Sequence, residues 1–194
     1  MVLGEKRIKN ILNSLVDIER SECLTYKELL NQVNPASIDL TIGAHYLRAR
    51  NNDIPVQYGF MDAYEAKNYK TSNYWEDGNA DGDYIVLKPH DAILAVTREY
   101  IQMPSGVCGQ IFTKSTLGRM FINHMMAGFV DPSFHGRLTL ELVNDGKHTI
   151  YLPVGARIVQ MILSYVIGAK DYNGRYQGAE GLETAKPMKE RNDE

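Results

Sequence analysis

Arg137-Leu138-Thr139-Leu140-Glu141-Leu142-Val143-Asn144 sets a leucine at every second position from 138 to 142. Its alternation places Leu138, Leu140 and Leu142 on one face of a strand and Thr139, Glu141 and Val143 on the other. Asp145-Gly146 follows at once, and because this pair favours the positive-φ turn of a short hairpin, the strand is expected to fold back on residues 148–152. Working outward, residues 84–87, 92–96, 107–113 and 156–166 are further short runs of strand formers, divided by Pro104-Ser105-Gly106 and Pro153-Val154-Gly155. Many short strands at this spacing predict an antiparallel sandwich or barrel rather than a parallel α/β sheet.

The β grammar begins only after residue 34. Ile8, Ile11, Leu12 and Leu15 recur at helical spacing, and Thr25 caps a second short helix over 26–33 with Glu28 at the capping-box position. Pro35 ends that helix, and Ser37-Ile38-Asp39-Leu40-Thr41-Ile42-Gly43 then alternates as a half-buried strand. Residues 50–83 are polar yet carry Tyr58, Phe60, Tyr64, Tyr69, Tyr74 and Trp75, so a long structured excursion packing on the core or on a neighbouring subunit is expected. The charged end, 185–194, is expected to fray.

With 194 residues, 44% of them hydrophobic, the chain suits a single domain over 1–194 with one core. A net charge of −3 with both signs interspersed provides no broad basic field for nucleic acid or an acidic membrane, so a polyanionic ligand must be small and met locally. Cys23 and Cys108 stand far apart with no Cys-x-x-Cys pair, which indicates neither a disulfide framework nor a cysteine-rich zinc site. No long apolar run occurs, and a cytoplasmic location is the expectation.

Glu141 points away from the leucine face. If its own face is also covered, its pKa should rise and it becomes a proton shuttle; the same pattern also fits a solvent-facing glutamate. Ser115 and Arg119 are spaced to share one face of a short helix, beside Lys114 and Thr116. That is the composition of a phosphate cradle, and equally of an ordinary helix cap. Ala127-Gly128 followed by Asp131-Pro132 lets backbone approach a ligand while a carboxylate holds a hydroxyl or a water, or it forms a simple Asx turn. His124 and His135 lie nearby, but the His-x-Glu and Pro-Cys-x-x-Cys that zinc nucleobase deaminases use are missing, so no zinc is assigned.

In order, Pro35-Ala36-Ser37-Ile38-Asp39-Leu40, Lys114-Ser115-Thr116-Leu117-Gly118-Arg119, the run from Ala127 to Gly136, Thr139-Leu140-Glu141-Leu142, Gly155-Ala156-Arg157-Ile158-Val159-Gln160 and Tyr176-Gln177-Gly178 resemble the dCTP deaminase branch of the dUTPase superfamily. The resemblance implies a mainly β fold, a distorted jelly-roll-like barrel of the dUTPase type. Its parts would be short N-terminal helices (1–33), a barrel core (34–168) and a C-terminal lid (169–194). It implies a homotrimer with active sites between subunits, a deoxynucleotide substrate and deamination without zinc, with magnesium only escorting the triphosphate. Glu141 matches the general base, with Ser115 and Arg119 supporting it, and these three are the implied catalytic set. Lys114, Thr116, Ala127, Gly128, Asp131, Gln160, Tyr172, Arg175 and Tyr176 are the implied nucleotide-binding residues. Gly128 and the short interval from Arg119 to Ala127 look like the bifunctional members that carry dCTP through to dUMP and pyrophosphate, in which Asp131 would orient the second water. Ala179 departs from the pattern, standing where relatives carry a glutamine that touches the nucleotide. A preference for dCMP or dCDP therefore stays open, and so does a non-catalytic, nucleotide-binding regulatory trimer.

Overall fold

Helix α1 (Glu5–Leu15) forms on the expected spacing, and Ile8, Leu12 and Leu15 are fully buried along one face. After the short strand β1 (Val16–Asp17), helix α2 (Tyr26–Gln32) opens with a complete capping box. Glu28 N donates to Thr25 Oγ1 at 3.3 Å, and Thr25 N donates to Glu28 Oε2 at 2.8 Å. The computed structural model describes residues 1–53, 71–80, 84–124 and 127–186. Most of the expected aromatic excursion, including Tyr58, Phe60, Tyr64 and Tyr69, and most of the charged end lie outside the described residues.

The remaining strands are β2 (Ile38–Ala49), β3 (Trp75–Asn79), β4 (Tyr84–Leu87), β5 (Ala92–Gln102), β6 (Val107–Thr113), β7 (Ile122–His124), β8 (Phe129–Val130), β9 (His135–Asn144), β10 (Ile150–Pro153) and β11 (Arg157–Tyr165). A one-turn helix, α3 (Ser115–Gly118), interrupts them between β6 and β7. The main sheet runs β7-β9-β5-β2-β11-β6-β8, with β1 added against β5 and β3 against β2. All of its pairings are antiparallel. The architecture is the expected mainly β one, a curled antiparallel sheet wrapped around a leucine- and isoleucine-rich core.

Curling requires the long strands to change partners. The first half of β2 pairs with β11 and the second with β5, with an irregularity between Ile42 and Tyr46. In β5 the register shifts between Val96, opposite Thr139, and Tyr100, opposite Arg137, so extra residues bulge from this strand and bend it. Thr97 mends the ladder by accepting from Leu138 N through its hydroxyl at 3.0 Å. Glu99, turned inward by the bulge, is fully buried. Its carboxylate accepts from Gln32 Nε2 at 2.7 Å, Thr41 Oγ1 at 2.7 Å and Thr41 N at 3.0 Å, while burial pushes its pKa up.

The hairpin expected at Asp145-Gly146 does not form. β9 pairs with β5 and β7, whereas β10 leaves to pair with β4 in a separate two-stranded sheet. The reason lies one residue earlier. The buried Asn144 side chain donates to Leu87 O at 3.0 Å and to His148 O at 2.9 Å, and accepts from Gly146 N at 3.0 Å. Asp145 N donates to Phe121 O at 2.9 Å, so the turn is tied to neighbouring segments and steers the chain from one sheet to the other.

Candidate active site

The leucine face of β9 is sealed in the core, with Leu138, Leu140 and Leu142 at 8%, 0% and 1% exposure. Its opposite face looks into a cavity of about 370 Å³. Thr139 and Glu141 line it from β9, Trp75 from β3, Leu94 from β5, and Ala127, Phe129 and Asp131 from the segment around β8. Tyr172, Tyr176 and Glu183 complete the wall from the C-terminal segment. A second covered face is therefore present, which is the condition that separates a functional carboxylate from a surface glutamate.

Glu141 keeps 24% side-chain exposure, but its Oε2 is buried without a hydrogen-bond partner. Oε2 lies 3.5 Å from His124 Nδ1, and both ring nitrogens of His124 are likewise buried and without partners. Burial pushes the His124 pKa down, and the neighbouring carboxylate pulls it back up. A neutral imidazole thus stands beside a carboxylate with free acceptor capacity. That arrangement can take a proton from a water and pass it on within the cavity.

The C-terminal segment closes the cavity by lying along β9. Gly178 N donates to His135 O at 2.8 Å, Arg137 N to Ala179 O at 2.8 Å, and Glu183 N to Thr139 Oγ1 at 3.0 Å. Tyr172 is anchored by its N–H to Pro132 O at 3.0 Å and by an edge-on contact with Phe134. Ala179 is 5% exposed and bridges to Gly136, whose φ is +150°. A Cβ at Gly136 would come within 2.9 Å of Ala179 N and 3.1 Å of Ala179 O, both backbone atoms, so this tight crossing requires glycine at 136.

Of the residues nominated from sequence, Ala127, Asp131, Glu141, Tyr172 and Tyr176 converge on the cavity. Gly128 does not line it but packs on β6, where its carbonyl accepts from Ile111 N at 2.7 Å and an added Cβ would meet Ile111 O at 3.0 Å. Ser115, Thr116 and Arg119 do not join them. They are exposed on and beside α3, where Arg119 N donates to Ser115 O as the helix requires. Lys114 pairs with the buried Asp39 at 2.5 Å, with Arg157 at 3.7 Å from the same oxygen. Gln160 stands on β11 opposite Asp39 and Phe112, and Arg175 is exposed, donating to Lys186 O.

Sequence reasoning set His124 aside and gave Trp75 no role in chemistry. Only the pairing of β7 with β9 brings His124 to Glu141, and only that of β3 with β2 brings Trp75 to the cavity; neither pairing has a local signature. Among the described residues no three His, Cys, Asp or Glu side chains converge as a metal site, and no helix is long and apolar enough to cross a membrane.

The family model described as dCTP deaminase-like matches residues 2–166. The chain is 32% identical over 162 residues to a Halobacterium salinarum protein named dCTP deaminase, dUMP-forming, covering 80% of each. It is 32% identical over 173 residues to a protein of the same name from Coprothermobacter proteolyticus, covering 84% of this chain and 89% of the relative. Among solved structures, the 2'-deoxycytidine 5'-triphosphate deaminase of Agrobacterium tumefaciens superposes with a TM-score of 0.63 over 84% of this chain at 19% identity. The match spans about half of that longer chain, 48%, and at this identity it is the fold that the two share.

Proposed function

Because the chain belongs to the dCTP deaminase-like family, we propose that it is a hydrolase that deaminates a deoxycytidine nucleotide, dCTP foremost, to the uridine nucleotide and ammonia. The observation that carries this reading is Glu141: a carboxylate on the cavity face of β9 whose buried Oε2 has no hydrogen-bond partner. Glu141 takes a proton from a water, the hydroxide adds to C4 of the ring, and the same carboxylate delivers the proton to the 4-amino group. The C4–N bond then breaks, and ammonia leaves. General-base assistance of this kind contributes roughly 10²–10⁴ in rate.

Ser115 and Arg119 supply the hydroxyl that holds the water and the cation that steadies the site, reaching the cavity from a neighbouring subunit of a homotrimer. Their exposure on α3, away from the chain's own cavity, supports that placement. Ala127 reads the base through its backbone, Asp131 holds the sugar, and Tyr172 and Tyr176 close over it. Lys114, Thr116, Gln160 and Arg175 meet the nucleotide where subunits join. Magnesium arrives with the triphosphate as part of the substrate. The location is cytoplasmic.

A second reading extends the first: hydrolysis of the product to dUMP and pyrophosphate at the same site. Asp131 lines the cavity, and the relatives from H. salinarum and C. proteolyticus are both named as dUMP-forming. Incubation with dCTP, dCMP and dUTP separately, with magnesium and chromatographic resolution of the products, tests both. The deaminase reading requires ammonia from a cytosine nucleotide and fails if none appears. Pyrophosphate and dUMP from dCTP establish the extension, whereas accumulation of dUTP removes it.

A further inference from the structure

We infer that Trp75 is the aromatic wall of the base subsite and sets specificity at C5 of the pyrimidine ring, an inference that rests on the deaminase reading of the Glu141 cavity. Trp75 is the single tryptophan of the chain and belongs to the aromatic-rich stretch to which the proposed chemistry assigns no role. Its place follows from register. Asp77 lies opposite Leu47, Leu47 opposite Leu94, and Leu94 opposite Glu141. Directly opposed residues project from the same side of a sheet, and Trp75 shares the face of Asp77. Indole and carboxylate therefore stand on one side of the curled sheet, and both line the cavity.

Three strand spacings of about 4.8 Å separate β9 from β3, about 14 Å in all. A glutamate reaching in from one end and an indole from the other leave a gap suited to one flat ring. With C4 of a cytosine at Glu141, the C5–C6 edge passes over Leu94 toward Trp75. The wall is also held firmly, as a specificity surface must be. Arg50 Nε donates to Ser72 O at 3.0 Å and to Trp75 O at 3.1 Å, and Arg50 N donates to Tyr74 O at 2.8 Å. Further along β3, Gly78 lies against the Tyr46 ring so closely that a Cβ would come within 2.4 Å of Cζ. The strand is thus pinned at both ends.

The lone indole makes the test direct. In the Glu141→Gln protein, titration with dCTP should change the tryptophan emission along the same saturation curve that calorimetry records. Trp75→Ala should raise KM for dCTP about 10-fold, the size expected for a lost ring contact, with the smaller part of the effect on kcat. The native enzyme should prefer dCTP over 5-methyl-dCTP in kcat/KM, and Trp75→Ala should erase most of that preference while Trp75→Phe retains it. Gly78→Ala, which forces β3 off Tyr46 with the indole intact, should relax the preference in the same way. A preference unchanged in Trp75→Ala, or emission that stays flat while calorimetry records binding, overturns the inference and leaves the deaminase reading standing. A native protein that neither binds nor deaminates any cytosine nucleotide removes both.

Discussion

At the residue scale the cavity depends on one carboxylate and one imidazole that have only each other. Glu141→Gln keeps the shape and loses the base, so deamination should fall by roughly 10²–10⁴-fold while nucleotide binding measured by calorimetry persists. Activity retained in that variant would take the base role away from Glu141. His124 makes a separate prediction. Burial holds its pKa below the ordinary 6.5 of a free imidazole, so the folded protein binds fewer protons than the unfolded chain as pH drops. Its contribution to stability is therefore complete above about pH 6.5 and is lost as pH falls through the lower folded value. His124→Leu removes the titrating ring, and its melting temperature should gain on the native value as pH falls from about 7.5 to about 5. Parallel curves for the two proteins would show that the ring does not titrate on unfolding.

At the element scale, what the sequence makes legible is whatever depends on local periodicity. The faces of α1, the capping box at Thr25 and the alternation that aims Glu141 away from Leu140 all appear as read. What depends on long-range pairing is hidden. β5 is expected to end at Val96, yet it continues to Gln102 through a bulge that only the tertiary partners Thr41 and Gln32 of Glu99 make tolerable. The local Asp145-Gly146 signal is overridden because Asn144 is buried and spends its amide on the carbonyls of Leu87, in another strand, and His148, across the turn. Asn144→Ala should therefore cost about 2–3 kcal/mol by leaving those carbonyls and Gly146 N without partners. In a chain of this size that lowers the melting temperature by about 4–12 °C. Asn144→Asp should cost more, since it turns an oxygen toward both carbonyls. A hairpin that the Asp-Gly turn dictated by itself would leave either variant unaffected. The same hidden pairing explains why Trp75 and His124 escape a linear reading while Asp131 does not.

At the scale of the whole molecule, the proposed catalytic set is divided: Glu141 faces the chain's own cavity, while Ser115 and Arg119 stand out on α3. Around them Phe112, Met120, Phe121 and Phe129 are 45–65% exposed, and Phe121 holds a left-handed φ of 61°. Large apolar side chains gathered beside exposed polar groups are the mark of a surface that another protein covers. In the proposed homotrimer, α3 of one copy would lie over the cavity of the next, joining the two halves of the set and burying the aromatic rim together. The consequence is genetic as well as structural. Arg119→Ala and Glu141→Gln should each be inactive alone, yet a mixed assembly contains interfaces where an intact Arg119 meets an intact Glu141. Random mixing of equal amounts gives about one such interface in four, so co-expression should restore roughly a quarter of native activity. The restored activity should travel with a species of trimeric mass in sedimentation. Co-expressed variants that assemble and remain inactive would place all three groups in one subunit, and α3 would then have to move to reach Glu141.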